Sequence, residues 1–119
     1  MLKIYQHDWR AEMYPVTRKG SEKFKPSMFD NYEHVATVET DNLEEAFRLG
    51  NDVPGLNDGN EWKLTKHRRM YSVSVGDILI DERGNKHMVD GFGFKQVHTE
   101  PVVHLWSKLL DAMRPTTLI

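Results

Sequence analysis

The sequence predicts an α+β fold: a mostly antiparallel sheet or half-open barrel of about five strands with two packed helices. Three observations lead there. Short β-branched runs alternate in hydrophobicity, most clearly His34-Val35-Ala36-Thr37-Val38 and Tyr71-Ser72-Val73-Ser74-Val75. A helical period replaces that alternation twice, once after Asp41 and once from Val102 to Met113. Turn chemistry at Asp81-Glu82-Arg83-Gly84-Asn85 joins two runs closely enough for a hairpin.

The elements follow in order. Leu2-Lys3-Ile4-Tyr5 reads as a first strand. Residues 17–31 are polar, basic and interrupted by Gly20 and Pro26, so they read as a long loop tethered by Phe24 and Phe29. His34 to Thr40 makes the second strand. Asp41 is the expected N-cap of the first helix. Glu44 stands three residues on as in a capping box, Glu45 adds charge at the positive end of the dipole, and Gly50 supplies the stop. Leu43, Ala46 and Phe47 are its buried stripe. Residues 50–60 hold three glycines and a proline and read as a second long loop.

Trp62 and Leu64 re-enter the structure after that loop. Tyr71, Val73 and Val75 share one face of the next strand, and Gly76-Asp77 breaks it before Ile78-Leu79-Ile80. Lys86 to Asp90 returns, and Gly91 to Val97 continues with its glycines marking a bulge or bend. Val102, Leu105, Trp106, Leu109, Leu110 and Met113 form the stripe of a C-terminal helix between Pro101 and Pro115. The expected core is Ile4, Val35, Val38, Phe47, Val73, Val75, Ile78, Ile80, Val89, Leu105, Trp106 and Leu109. Residues 1–119 are expected to form a single domain.

Composition narrows the function. The chain has 119 residues and no cysteine, which excludes disulfides, thiolate metal sites and cysteine nucleophiles. No apolar run approaches the roughly 18–20 residues of a membrane span, and Met1 to Asp8 lacks a secretory leader, so a cytoplasmic protein with no membrane partner is expected. The net charge of −2 conceals blocks: +3 over residues 18–29, −8 over 30–61 and +4 over 62–69. Such blocks either neutralise one another across the fold or set up fields that steer a partner.

The stretch Ser72-Val73-Ser74-Val75-Gly76-Asp77 resembles a motif of small proteins carried by phages, plasmids and their bacterial hosts, labelled YodL-like. Leu43 to Leu49 looks like the family's acidic-capped helix, Asn51 and Trp62 like its Asn and Trp, and Val89 to Val97 like its closing strand. The resemblance covers roughly residues 39–97. Tyr71 stands where the pattern has arginine, and Arg69 lies two residues earlier. The resemblance implies a mobile-element accessory protein acting in the host cytoplasm, and it brings no activity with it. The motif also has a physical reading. Gly76 permits a bend, and Asp77 bonds the exposed backbone of that turn, making Ser72, Ser74, Gly76, Asp77, Gly93 and Phe94 structural.

Catalytic constellations are thin. The six histidines, at 7, 34, 67, 87, 98 and 104, show no i, i+4 pair, and no metal or cofactor is expected. No serine lies in a nucleophile elbow, and Gly91-Phe92-Gly93 lacks the rest of a dinucleotide fingerprint. The acid pairs Asp81-Glu82 and Glu44-Glu45 fall at a turn and a helix start. The leading expectation is a non-catalytic accessory protein that binds a host protein or complex, with inhibition of a host defence or nucleic-acid enzyme as its most concrete form. Glu44, Glu45 and Asp52 would supply its acidic side. The alternative is nucleic-acid binding through Lys63, Lys66, Arg68 and Arg69 beside Trp62, where positive charge meets an aromatic ring.

Overall fold

The computed structural model describes residues 1–51 and 59–99. Six strands build one open antiparallel sheet: β1 (Leu2–His7), β2 (Tyr32–Val38), β3 (Leu64–Lys66), β4 (Ile78–Ile80), β5 (Lys86–Val89) and β6 (Phe94–Val97), in the order β3-β2-β1-β4-β5-β6. The helices are α1 (Tyr14–Lys19) and α2 (Leu43–Asn51), with short 3₁₀ turns between α1 and β2. The α+β class stands, with the sheet open rather than closed.

Strand alternation assigns the two faces. Leu2 and Ile4 of β1 point to one side, where they pack with Val35, Ala36, Val38, Leu79 and Val89 beneath Ala46 and Leu49 of α2. Tyr5 points to the other, where Ile78, Met88 and Val97 meet Met13, Val16, Phe24 and Phe29. The register between β1 and β2 shifts after Ile4, so Ala36 faces Ile4 and His34 faces Tyr5, with Val35 left over as a bulge. That extra residue lets Val35 and Ala36 both stay buried on the α2 side. Complete burial of side chains such as Leu2, Ile4 and Leu79 contributes roughly 1.5–3 kcal/mol each.

Several expectations change. Residues 17–31 are built as the end of α1 and two 3₁₀ turns instead of one long loop. The reason lies far along the chain: the Asp90 carboxylate accepts hydrogen bonds from Ser21 N–H at 2.8 Å and Ser21 Oγ at 2.7 Å. Gly20 makes that approach feasible, because a Cβ there would lie 1.9 Å from Asp90 Oδ1. The cap of α2 is Asn42, whose Oδ1 accepts Glu45 N–H at 2.9 Å, while Asp41 binds the Met1 amino group at 2.7 Å. Gly50 does not stop α2. It lies within the helix, where its missing side chain lets Val73 approach, since a Cβ would meet Val73 Cγ2 at 2.3 Å.

The sixth strand is β3, drawn from the basic stretch before Arg69. The run Tyr71 to Val75 joins no ladder: Val73 is buried, but Tyr71 is exposed and Val75 only half-buried. In place of a neighbouring strand, the Gln6 side chain holds the backbone of Tyr71 at both its N–H and its carbonyl. The last strand begins at Phe94, later than Gly91, and Gly93 at φ +73° turns the chain into it. Phe47 and Ile80 of the expected core are half-buried. The expected C-terminal helix with Leu105, Trp106 and Leu109, and most of the loop at 50–60, lie outside the described residues.

Candidate functional site

The Gly76-Asp77 corner is the polar centre of the fold. Gly76 takes φ +96°, and a side chain there would meet the Val16 carbonyl at 3.1 Å. Its N–H donates to Val89 O at 2.9 Å, and its carbonyl accepts the Tyr32 hydroxyl. Asp77 Oδ2 accepts the Ser74 N–H and Gln6 Nε2, each at 3.0 Å. Burial pushes the Asp77 carboxyl up to about 7, partly offset by those two donors. Desolvation raises the Tyr32 hydroxyl as well, with the Asp77 charge adding to it. Both groups are occupied in holding the corner together. Ser72, by contrast, is exposed.

Beside that corner the motif opens on a surface groove of about 530 Å³ between α2, residues 73–75 and the β5–β6 hairpin. Phe47, Val73, Val75, Val89 and Phe94 make its apolar wall, and Glu44 and Arg48 stand on its rim. Phe47 and Phe94 meet edge to face at 6.4 Å. At the tip of the hairpin, Phe92 is 98% exposed, the most open of the large apolar side chains described.

The basic cluster is less free than its spacing implies. Lys63 Nζ lies 3.3 Å from the Glu45 carboxylate, with both side chains about three-quarters covered, and Arg68 pairs with Glu33 at 3.0 Å on the surface. The Glu45 carboxyl is held below its usual range, first by a hydrogen bond from Thr40 and then by Lys63. Part of the acidic block therefore neutralises part of the basic one, and two expected binding residues, Lys63 and Glu45, bind each other. Lys66 and Arg69 are exposed; Arg69 lies over the Tyr71 ring at 5.7 Å, and Trp62 is exposed beside Lys63. Asp52 lies outside the described residues. Glu44, Ser74, Gly93 and Phe94 meet at the groove, which the basic cluster does not line.

Sequence reasoning missed two features. Trp9 adopts φ +39°, a left-handed conformation costly for a bulky residue, and stands perpendicular to Tyr71 at 5.8 Å. No local signal marks that strain. The histidines, scattered in sequence, are partly gathered in space: His34 and His67 lie 4.9 Å apart between ring centres. Only the β2–β3 pairing reveals it. Among the described residues, no three His, Asp or Glu side chains gather as metal ligands would. No described helix is long and apolar enough to cross a membrane.

No protein-family model, curated protein or solved structure matches this chain.

Proposed function

We propose that this protein is a non-catalytic binding protein whose groove and Phe92 dock a host-cell protein. The observation that carries the reading is a phenylalanine 98% exposed at a hairpin tip beside an apolar groove of about 530 Å³. Leaving such a ring in water forgoes roughly 1.5–3 kcal/mol of burial, which a partner would recover. Well-packed aromatic anchors beside a pocket are the usual centres of protein interfaces. The partner's chemistry follows from the wall and rim: an apolar side chain to fill the groove, with a basic residue facing Glu44. The resemblance to phage- and plasmid-borne proteins over residues 39–97 favours a bacterial cytoplasmic protein as that partner, and inhibition as the outcome.

The nucleic-acid reading is weaker, because Lys63 and Arg68 are already paired with Glu45 and Glu33. The test is a column of immobilised protein exposed to host lysate, followed by direct titration of whichever purified protein is retained. Retention by the parent and by a Lys66→Glu, Arg68→Glu, Arg69→Glu variant, with loss in Phe92→Asp, supports the groove. Undiminished binding by Phe92→Asp overturns it, as does nanomolar binding of bare oligonucleotides at physiological salt.

A further inference from the structure

On the sheet face opposite α2, toward the β3 edge, cationic and hydroxyl groups from three strands are brought together. Antiparallel pairing sets Lys3 of β1 directly across from Thr37 of β2, and Thr37 across from Thr65 of β3. Directly opposed residues point to the same side of a sheet, so the Lys3 ammonium and two hydroxyls form one row. The adjoining row holds Tyr5 and His34, whose rings stack at 5.2 Å, and His67 follows β3. Lys86 stands further along the first row, across from Ile80 and over the Phe29 ring.

The Thr37 hydroxyl ties the two histidines together. His34 Nε2 lies 2.9 Å from the Ala36 carbonyl, which fixes the ring proton on that nitrogen, and 3.1 Å from Thr37 Oγ1. Thr37 Oγ1 is 2.7 Å from His67 Nε2. With His34 as a donor, Thr37 gives its own proton to a neutral His67. When His67 is protonated, its Nε2–H donates back to Thr37 Oγ1, and the hydroxyl proton is released to face outward.

We propose that Lys3, Thr37, His34 and His67 form a binding site for a phosphate group. A dianion there would accept from the Lys3 ammonium and the released Thr37 hydroxyl, beside the two histidine rings. Charge makes the same point. Positive charge reaches His34 from Lys3 of β1, and from His67 and Arg68 beyond β3. Burial first, and then these three cations, hold His34 below its usual range, while its bond to Ala36 pulls the other way. Glu33 is paired with Arg68 at 3.0 Å in the row of Gln6, on the other side of β2, and Glu39, exposed, is the acid that shares the side of Thr37 two residues on. Asp41 and Glu82 are held by the Met1 amino group. Like charges clustered this closely repel one another until an anion settles among them.

The experiment follows the histidine ring resonances by NMR while inorganic phosphate is added, at pH 6 and at pH 8. Saturable shifts of His34 and His67 are expected with phosphate; with sulfate, a dianion at both pH values, binding should be several-fold tighter at pH 6, because an anion that raises a histidine's pKa by one unit gains up to about tenfold from protonation. Phosphate, which passes from dianion to monoanion across this range, should show a smaller change. Thr37→Val should weaken binding about tenfold and flatten its pH dependence, Thr37→Ser should restore both, and Lys3→Gln should weaken binding while leaving the spectrum folded. A short single-stranded oligonucleotide distinguishes the source: tighter binding than inorganic phosphate assigns the site to a nucleic-acid backbone, equal or weaker binding to a free phosphate ester. Unmoved histidine resonances overturn the proposal. Equal shifts with chloride overturn it too, since they mark an adventitious ion only.

Discussion

The side-chain amide of Gln6 stands in for a missing strand beside Tyr71. Gln6 Nε2 donates to the Tyr71 carbonyl at 2.8 Å, and Tyr71 N–H donates to Gln6 Oε1 at 3.0 Å. The same Nε2 reaches Asp77 Oδ2 at 3.0 Å, so one buried amide links the segment before the motif to the acid within it. Gln6→Leu preserves bulk and removes all three bonds. It should destabilise by about 2–4 kcal/mol, because partly buried polar groups are left without partners. Chemical denaturation checks this, and a loss below about 0.5 kcal/mol would show that water replaces the amide at no cost.

Gly76 is required by two independent constraints, a φ of +96° and the Val16 carbonyl 3.1 Å from where a Cβ would sit. Gly76→Val should therefore lose about 1–3 kcal/mol or more through backbone strain. Gly84, at φ +85° but with open space around it, is the internal control. Gly84→Ala should cost about 1 kcal/mol, from the dihedral alone. Equal losses at the two positions would mean that the contact with Val16 contributes nothing.

What could be read from the sequence divides along the range of the forces involved. β1, β2, α2 and the β4–β5 hairpin were legible because alternation, helical period and the Asp81–Asn85 turn are local signals. The cap was misplaced by one residue. Asp41 and Asn42 are both good caps, and the choice was settled by the Met1 amino group that binds Asp41 from 40 positions away. The Tyr71–Val75 run alternates like a strand, yet its backbone partner is a side chain. The folding of residues 17–31 depends on Asp90, 69 positions from Ser21. In the candidate site, the corner at Gly76-Asp77 was legible as a corner. The groove was not, because Glu44, Phe47 and Phe94 come from three separate elements, and neither were the ion pairs that neutralise Lys63 and Arg68.

Asp77 sets a pH dependence whose sign is unusual for an acid. Its carboxyl stands at about 7 in the fold against 3.8 for a solvated aspartate, because burial disfavours the charge. Between those values the folded state holds more protons than the unfolded state, so stability falls as pH rises. The contribution of the protonated acid is complete below about pH 4 and lost by about pH 7. Asp77→Asn keeps an acceptor for Ser74 N–H and Gln6 without the charge, and should flatten that decline, leaving the variant more stable than the parent at pH 8. His7 works in the opposite sense: burial holds it below its usual range, so its protonation destabilises the fold as pH drops below about 6.5. Melting curves from pH 4 to 8 for the parent and Asp77→Asn decide the matter. Parallel curves would show that the carboxyl is ionised throughout.

The neighbouring acids Glu44 and Glu45 should behave as different kinds of residue. Glu45 bonds Lys63, whose carbonyl also accepts Glu39 N–H at 2.8 Å, so this pair helps seat α2 against the β2–β3 edge. Glu44 is exposed on the rim of the groove, next in the chain but pointing elsewhere. Charge reversal at Glu45 should lower the melting temperature. Reversal at Glu44 should leave it unchanged and instead slow association with the retained partner several-fold at low salt, an effect that fades as salt rises because rim charges act mainly through steering. Phe92→Asp should raise the dissociation rate far more, by about 30-fold or greater, as truncation of a central anchor does. Stopped-flow association and dissociation with the purified partner at two ionic strengths separates the three. If Glu44→Lys and Glu45→Lys change association equally and neither alters melting, the pairing of Glu45 with Lys63 is only a surface contact and both acids belong to the interface.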